Sequence, residues 1–303
     1  CPRKGYPCSR RRGTGRGYDG LMVSHGGQEY AYDFLTGILE QYPDLKIATF
    51  DTPFKDANGE VAKIPGVVQF FQQDAGFASS LVESIMDMYP EKVEAGEPVN
   101  ILQVQQGAGY NSPFDRRQIG YQPYEDEGKI KTVERIAPID DQNATSSMRD
   151  VTAATLPKYG EGEIDGIWCC YDAYAQGVYQ ALVEANSDIP MVSVDICNED
   201  IQFMQEGKNW KACATTNWSS NGEFACRVLA LEMADQYEDI YAASCYYEDP
   251  GDWMEIPSVI VTQEMVTSKD GINIENLAEV AGEEYSDTSW MPTCDWMVDL
   301  LGH

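Results

Sequence analysis

Residues 165–195, DGIWCCYDAYAQGVYQALVEANSDIPMVSVD, restrict the fold more than any other stretch of the chain. A short apolar run at 166–170 leads to a polar corner at Tyr171 and Asp172. Tyr174, Val178, Ala181 and Leu182 then recur three and four residues apart, the spacing of one helix face. A second apolar run, 190–194, closes on Asp195. Strand, helix and strand within about thirty residues form a βαβ unit, whose crossover makes the two strands parallel. Asp172 and Asp195 then both fall just past the carboxyl ends of strands, where open α/β sheets bind ligands.

The same alternation runs through the rest of the chain. Strands are predicted at 19–24, 45–50, 67–71, 99–105, 130–136, 211–214 and 257–262. Helices are predicted at 29–41, 75–88, 112–127, 145–156, 199–205 and 221–237, with Pro123 expected to end or kink the third of them. Strands apolar on both faces, separated by helices, predict parallel sheets covered on both sides. Residues 19–51 repeat the build of 165–195: Asp-Gly, strand, helix, strand, Asp. Two such halves across a cleft are the layout of a hinge-closing binder. The expected class is therefore α/β, with two doubly wound parallel-sheet lobes and a hinged cleft. The end of the chain, 291–303, shows no clear periodicity and is expected as a tail.

Charge and cysteine usage narrow the function. A net charge of −29 argues against nucleic acid or anionic lipid as a partner. No apolar run approaches the roughly 20 residues of a membrane span. None of the nine cysteines is spaced as C-x-x-C, and Cys169 and Cys170 are adjacent in a predicted strand, so buried thiols are expected rather than a metal site. Residues 1–17 begin CPRKGYPCSRRRGTGR, are strongly basic and lack apolar periodicity; they are expected to be a leader foreign to the fold. The only histidines are His25 and His303, and no G-x-S-x-G is present. Gly107-Ala108-Gly109 lacks the third glycine and the Lys-Ser/Thr of a phosphate loop. No enzyme, cofactor or metal is expected.

Seven pieces lie in order between Gly17 and Val266: GYDGLMVSHGG, KIATFDT, VVQFFQQDAGFASSLVESI, VNILQVQQGAGYNSPFDRRQIGY, the 165–195 stretch, WKACATTNWSSNGEFACRVLALEM and EIPSVIVTQEMV. Together they resemble the type I periplasmic solute-binding proteins of sugar ABC importers, the ribose-binding-like group. The resemblance implies an N-terminal lobe of 18–73 plus 217–256 and a C-terminal lobe of 74–216 plus 257–290. Three crossings would join them near 72–74, 216–218 and 255–260. It implies too that the family's first strand-helix-strand has no counterpart, leaving the first lobe incomplete through a truncated N-terminus. A monosaccharide or related polyol would be the ligand, captured by hinge closure. The partners implied are the importer's membrane subunits, with the chain itself a monomer. The location implied is extracytoplasmic, periplasmic or lipid-anchored at the outer face of the cell membrane. Two other readings share the fold: the effector-binding core of a LacI-type transcription regulator, and a chemosensory sugar-binding protein.

The resemblance also assigns site residues. Asp51 ends an apolar strand, and a carboxylate there accepts from two sugar hydroxyls at once. Thr52 stands where arginine is common in the group, which points away from ribose itself. Arg117, in DRRQIGY, matches the family's ligand arginine, a bidentate donor. Its neighbour Arg116 is expected to face solvent, and the competing role for Arg117 is a salt bridge to Asp115 or Glu125. Tyr171 replaces the group's usual Asn and can stack on a sugar face and donate from its hydroxyl. Asp172 is expected chiefly as a helix cap. Asp195 is the leading sugar-facing acceptor, and Asn217 matches the family's amide at a hinge crossing. Asp141 and Trp218 complete the candidates, and Trp168 is either a stacking wall or core.

Overall fold

The computed structural model describes residues 17–24, 28–51, 54–56, 58, 64–236, 247–248 and 253–301. The leader through Arg16, His25 and Thr52 lie outside the described residues. The chain divides into two compact units: Cys1–Phe70, Phe224–Cys245 and Met291–His303 make the first, and Phe71–Glu223 and Tyr246–Trp290 the second.

The first unit opens with β1 (Gly20–Ser24), α1 (Gln28–Gln41) and β2 (Lys46–Phe50), followed by β3 (Val67–Gln72), which carries the chain out of this unit. β1 pairs parallel with β2, and β2 with β3. Ala31 and Leu35 of α1 pack with Ile47, Phe54 and Ile64 in a small core. Phe50 and Phe70 bring their rings to 5.2 Å, and Phe224 meets Phe70 edge-on at 5.0 Å.

In the second unit, α2 (Asp74–Met86) and α3 (Pro90–Ala95) precede β4 (Val99–Val104), α4 (Ser112–Asp126) and β5 (Ile130–Ile136). The chain continues through α5 (Ala144–Thr155), β6 (Gly166–Cys169), α6 (Asp172–Glu184), β7 (Met191–Val194), α7 (Asn198–Glu206), β8 (Trp210–Thr215) and the start of α8 (Trp218–Met233). The pair β9 (Tyr247–Glu248) and β10 (Trp253–Ile256) and then β11 (Val259–Thr262) follow. The main sheet has the order β11-β8-β7-β6-β4-β5. Every residue of β6 and β7 is buried, as strands covered on both faces must be. Phe77, Leu81 and Ile85 form the buried stripe of α2. β5 and β6 lie on opposite sides of β4, so the order of the sheet reverses there. The carboxyl ends of β4 and β6 thus flank a topological switch point.

Two glycines set how closely the covering helices approach. A Cβ on Gly120 of α4 would lie 1.9 Å from the carbonyl oxygen of Ala75 at the start of α2. One on Gly177 of α6 would lie 2.2 Å from that of Thr145 on α5. At both crossings backbone packs on backbone, and only glycine fits.

The fold is α/β with parallel-sheet lobes, as the alternation of apolar strands and helices led us to expect. Five local features differ from expectation. β11 runs antiparallel to β8, as an edge strand on an otherwise parallel sheet. α3 is an added single-turn element, begun by Pro90 and closed by Gly96 at φ 70°. α4 runs through Pro123 unbroken. The proline lies on its solvent side, and the carbonyl it cannot donate to belongs to Ile119, itself exposed and open to water. α8 starts at Trp218 rather than at 221, because the Asn217 side chain accepts from the backbone N–H of Ser219 at 3.0 Å and begins the helix early. Near the chain end, Asp295–Leu301 forms a short helix. Among the described residues no helix is long and apolar enough to cross a membrane.

Candidate functional site

The corner after β6 and the corner after β7 meet at the switch point of the second unit, and Arg117 ties them together. This residue lies on α4, 2 % exposed. Its Nη1 donates to the carbonyl oxygen of Cys170, and its Nη2 reaches Oδ2 of Asp195 at 3.4 Å. Its Nε donates to Oδ1 of Asp74 at 2.8 Å. Burial alone would pull the guanidinium toward neutrality, but Asp195 and Asp74 outweigh it and hold the charge firmly. Phe114 and Phe77 lie within 5.6 and 6.0 Å of the same guanidinium, adding cation–π contacts.

Arg116 does not face solvent, contrary to the sequence-based expectation. It is 9 % exposed, donates from Nε and Nη2 to Oδ2 of Asp74 at 2.9 and 2.6 Å, and lies 4.7 Å from the Phe71 ring. The reason is Asp74, a wholly buried carboxylate that one arginine alone would leave with an unmatched oxygen. Asp115 and Glu125 are not the partners of Arg117. Asp115 accepts from the N–H of Gly109 at 2.9 Å, and Glu125 from Gln122 at 3.4 Å.

Asp195 follows β7 with φ 70°, a left-handed backbone that Asp tolerates better than most residues. Its N–H donates to the carbonyl of Ala214 at 2.8 Å, adding one rung to the β7–β8 ladder before the chain turns away. In the first unit, Asp51 follows β2 with φ 49° and donates its N–H to Phe70 at 3.0 Å.

Tyr171 occupies the N-cap position of α6 and is 37 % exposed. It meets Tyr174 edge-on at 5.5 Å and Phe114 at 6.0 Å. Phe114 stacks in turn on Tyr110, at 6.0 Å and 13°. A run of ring faces therefore borders the arginine, with Tyr110 and Tyr171 open to solvent. Asp172 is the first residue of α6, and its carboxylate accepts from the N–H of Ala173 at 2.6 Å. Burial, and then Asp200, push its carboxyl up to about 6. Asp200 is itself pushed up by burial. It accepts from Gln176 at 2.8 Å and from the Cys197 N–H at 2.7 Å, the latter as the third-position partner of the capping residue Cys197 at the start of α7. Cys170 gives Arg117 its carbonyl, and burial pushes its thiol up to about 12, which keeps it neutral.

The remaining candidates take other places in the second unit. Asp141 is exposed and accepts from Gln106 at 2.9 Å. Asn217 is engaged on both sides of its amide, capping α8 and donating to the Tyr285 carbonyl at 2.9 Å. Trp218 is 37 % exposed at the first position of α8, whereas Trp168 is fully buried in β6 against Tyr121. Three participants were missed in the sequence: Asp74, Phe114 and Tyr110. The aromatics of GAGYNSPF directly after β4 were the available signal. Asp74 gave none beyond its place at a helix start.

The geometry offers a charged donor, a carboxylate acceptor and aromatic faces around one switch point. That combination suits a ring bearing several hydroxyls and an apolar face.

No protein-family model matches the sequence, and no curated protein matches it. Solved structures do. A sugar ABC transporter structure from Yersinia enterocolitica is 25% identical over 90% of this chain and 74% of its own, with a TM-score of 0.70. The 5-methylthioribose transporter solute binding protein from Thermotoga lettingae, in complex with 5-methylthioribose, is 18% identical over 94% of this chain and 80% of its own, with a TM-score of 0.71. A periplasmic solute binding protein from Actinobacillus succinogenes with bound D-allose is 16% identical over 83% of this chain and 80% of its own, with a TM-score of 0.62. The chain has the fold of the sugar ABC transporter solute-binding proteins. The resemblance seen in its sequence thus extends to the backbone over most of its length.

Proposed function

We propose that this chain is the solute-binding component of a sugar ABC importer and captures a monosaccharide or related polyol. One observation carries the reading: a buried, charged Arg117 bridges Asp195 and the Cys170 carbonyl at the switch point, bordered by ring faces. The likeness to a sugar ABC transporter at 25% identity supports the same class of ligand. In this reading Arg117 donates to ring or hydroxyl oxygens, Asp195 accepts from hydroxyls, and Tyr171 covers an apolar face. Asp51 of the first unit, Asn217 and Trp218 are further proposed contacts, and capture by hinge closure belongs to the proposal. The partners would be the importer's membrane subunits, and the location extracytoplasmic. A regulator's DNA-bound role fits poorly with a net charge of −29.

A thermal-shift screen over aldopentoses, aldohexoses and polyols tests the proposal. A concentration-dependent rise in Tm with at least one of these is expected, since a ligand that binds only the folded state stabilises it. A rise with amino acids or nucleosides alone would overturn the sugar assignment. Hinge closure predicts a smaller radius of gyration by small-angle X-ray scattering when the active sugar is added.

A further inference from the structure

Asp74 is a wholly buried carboxylate of the second unit, and both arginines converge on it. Oδ1 accepts from Nε of Arg117, and Oδ2 from Nε and Nη2 of Arg116. Removing such a charge from water costs several kcal/mol before any partner is counted, so a buried ion cluster is weak ground for stability. What it supplies is direction. A guanidinium is a rigid planar fork: anchoring its Nε fixes where Nη1 and Nη2 point. In Arg117 those two groups go to Cys170 and Asp195. The backbone contact of Gly120 with Ala75 lies one residue from Asp74 and one helical turn beyond the arginines, so carboxylate and guanidinium are held at fixed spacing.

We propose that Asp74 is a positioning residue for the candidate site: it anchors Arg117 by Nε and thereby aims its Nη1 and Nη2 at the corners after β6 and β7, while Arg116 only satisfies the second carboxylate oxygen. The consequence for ligand capture rests on the function proposed above, whereas the anchoring of Arg117 does not.

The test has two arms on the full chain. In the first, hydrogen exchange of the Arg117 Nε–H is followed by NMR on arginine-labelled protein, the resonance being assigned by its loss in Arg117→Lys. Slow exchange is expected in the wild type and exchange faster by about ten-fold or more in Asp74→Asn, the effect of losing one strong hydrogen bond. Unchanged exchange in Asp74→Asn would overturn the proposal. If Asp74→Asn does not fold, Arg116→Gln decides. It leaves Asp74 to Arg117 alone, so protection should persist, and its loss would mean that Arg116 rather than Asp74 holds Arg117. In the second arm, D-allose and D-ribose are titrated calorimetrically. Asp74→Asn should weaken whichever sugar the wild type binds by about ten-fold, and Asp74→Glu should recover part of that loss. A merely structural carboxylate would lower Tm in both variants without this graded affinity, and equal affinity in Asp74→Asn and wild type would refute the positioning role. If the wild type binds neither these sugars nor any in the thermal-shift screen, the sugar assignment fails while the exchange measurement still decides the role of Asp74.

Discussion

Asp51 and Asp195 are built alike and supported differently. Each follows a buried parallel strand, adds one backbone hydrogen bond to the neighbouring strand, and turns with positive φ. Asp51, in the first unit, is 5 % exposed. Asp195 faces an arginine that is itself braced by Asp74. The lesson is that a strand-end aspartate becomes a defined acceptor through what grips its partner, and that grip comes from elsewhere in the chain. Asp74 and Arg117 are 43 residues apart, and Arg117 and Asp195 are 78 apart.

The largest expected effect breaks the supported corner outright. Arg117→Met leaves Asp195 without its cation and Asp74 with one arginine, and should cost about 3 kcal/mol of stability by urea denaturation. It should also abolish sugar binding. A loss below about 1 kcal/mol would mean that the corner after β7 does not depend on Arg117.

Next comes the comparison itself. If both aspartates accept from sugar hydroxyls, Asp51→Ala and Asp195→Ala should each weaken binding by about 2 kcal/mol, roughly thirty-fold, in calorimetric titrations. Only Asp195→Ala should also move the Arg117 side-chain NMR signals. A silent Asp51→Ala would leave the second unit as the main source of polar contacts.

The pH response sharpens the contrast further. Asp172 titrates in the folded protein at about 6, above the ordinary aspartate value near 4. Below pH ~4 it is protonated folded or unfolded. Between pH ~4 and about 6 the folded state still holds a proton that the unfolded chain has already lost, so stability falls by about 3 kcal/mol across that window and levels off above it. Asp172→Asn should remove this fall and flatten sugar affinity between pH 5 and 7. In the first unit, burial pushes Glu232 on α8 up to about 7, with Lys46 pulling it back. Glu232→Gln should therefore raise stability at pH 8 and leave affinity unchanged, as thermal melts and titrations at several pH values would show.

The smallest effect probes the shared backbone. Alanine at either left-handed position should cost about 1 kcal/mol relative to glycine. Comparing Asp51→Gly with Asp51→Ala, and the same pair at Asp195, gives that strain separately for each unit.

Much of the fold was legible because its signals are local. The run of apolar residues in β6 and β7, and the Tyr174–Leu182 stripe of α6, follow from period alone. The two strand-end aspartates followed from the same reading. Pairing direction was less visible: β11 reads as any apolar strand, and only its partner β8 makes it antiparallel. Arg116 misled for a similar reason. Adjacent helix residues point about 100° apart, so one arginine inside suggests one outside. That rule fails when a buried carboxylate reaches both, and nothing within the DRRQIGY segment announces Asp74.

The contact between Gly120 and Ala75 has a consequence for how the site tolerates change. Two helices touching through main-chain atoms have no compressible side-chain layer between them. Their separation behaves like a machined stop rather than a cushion. Drift in surrounding side chains is absorbed elsewhere, while the span between the Asp74 carboxylate and the Arg117 guanidinium stays fixed. Loops around this sheet can then vary in length and sequence, altering which molecule is admitted, without disturbing the aim of the arginine that receives it.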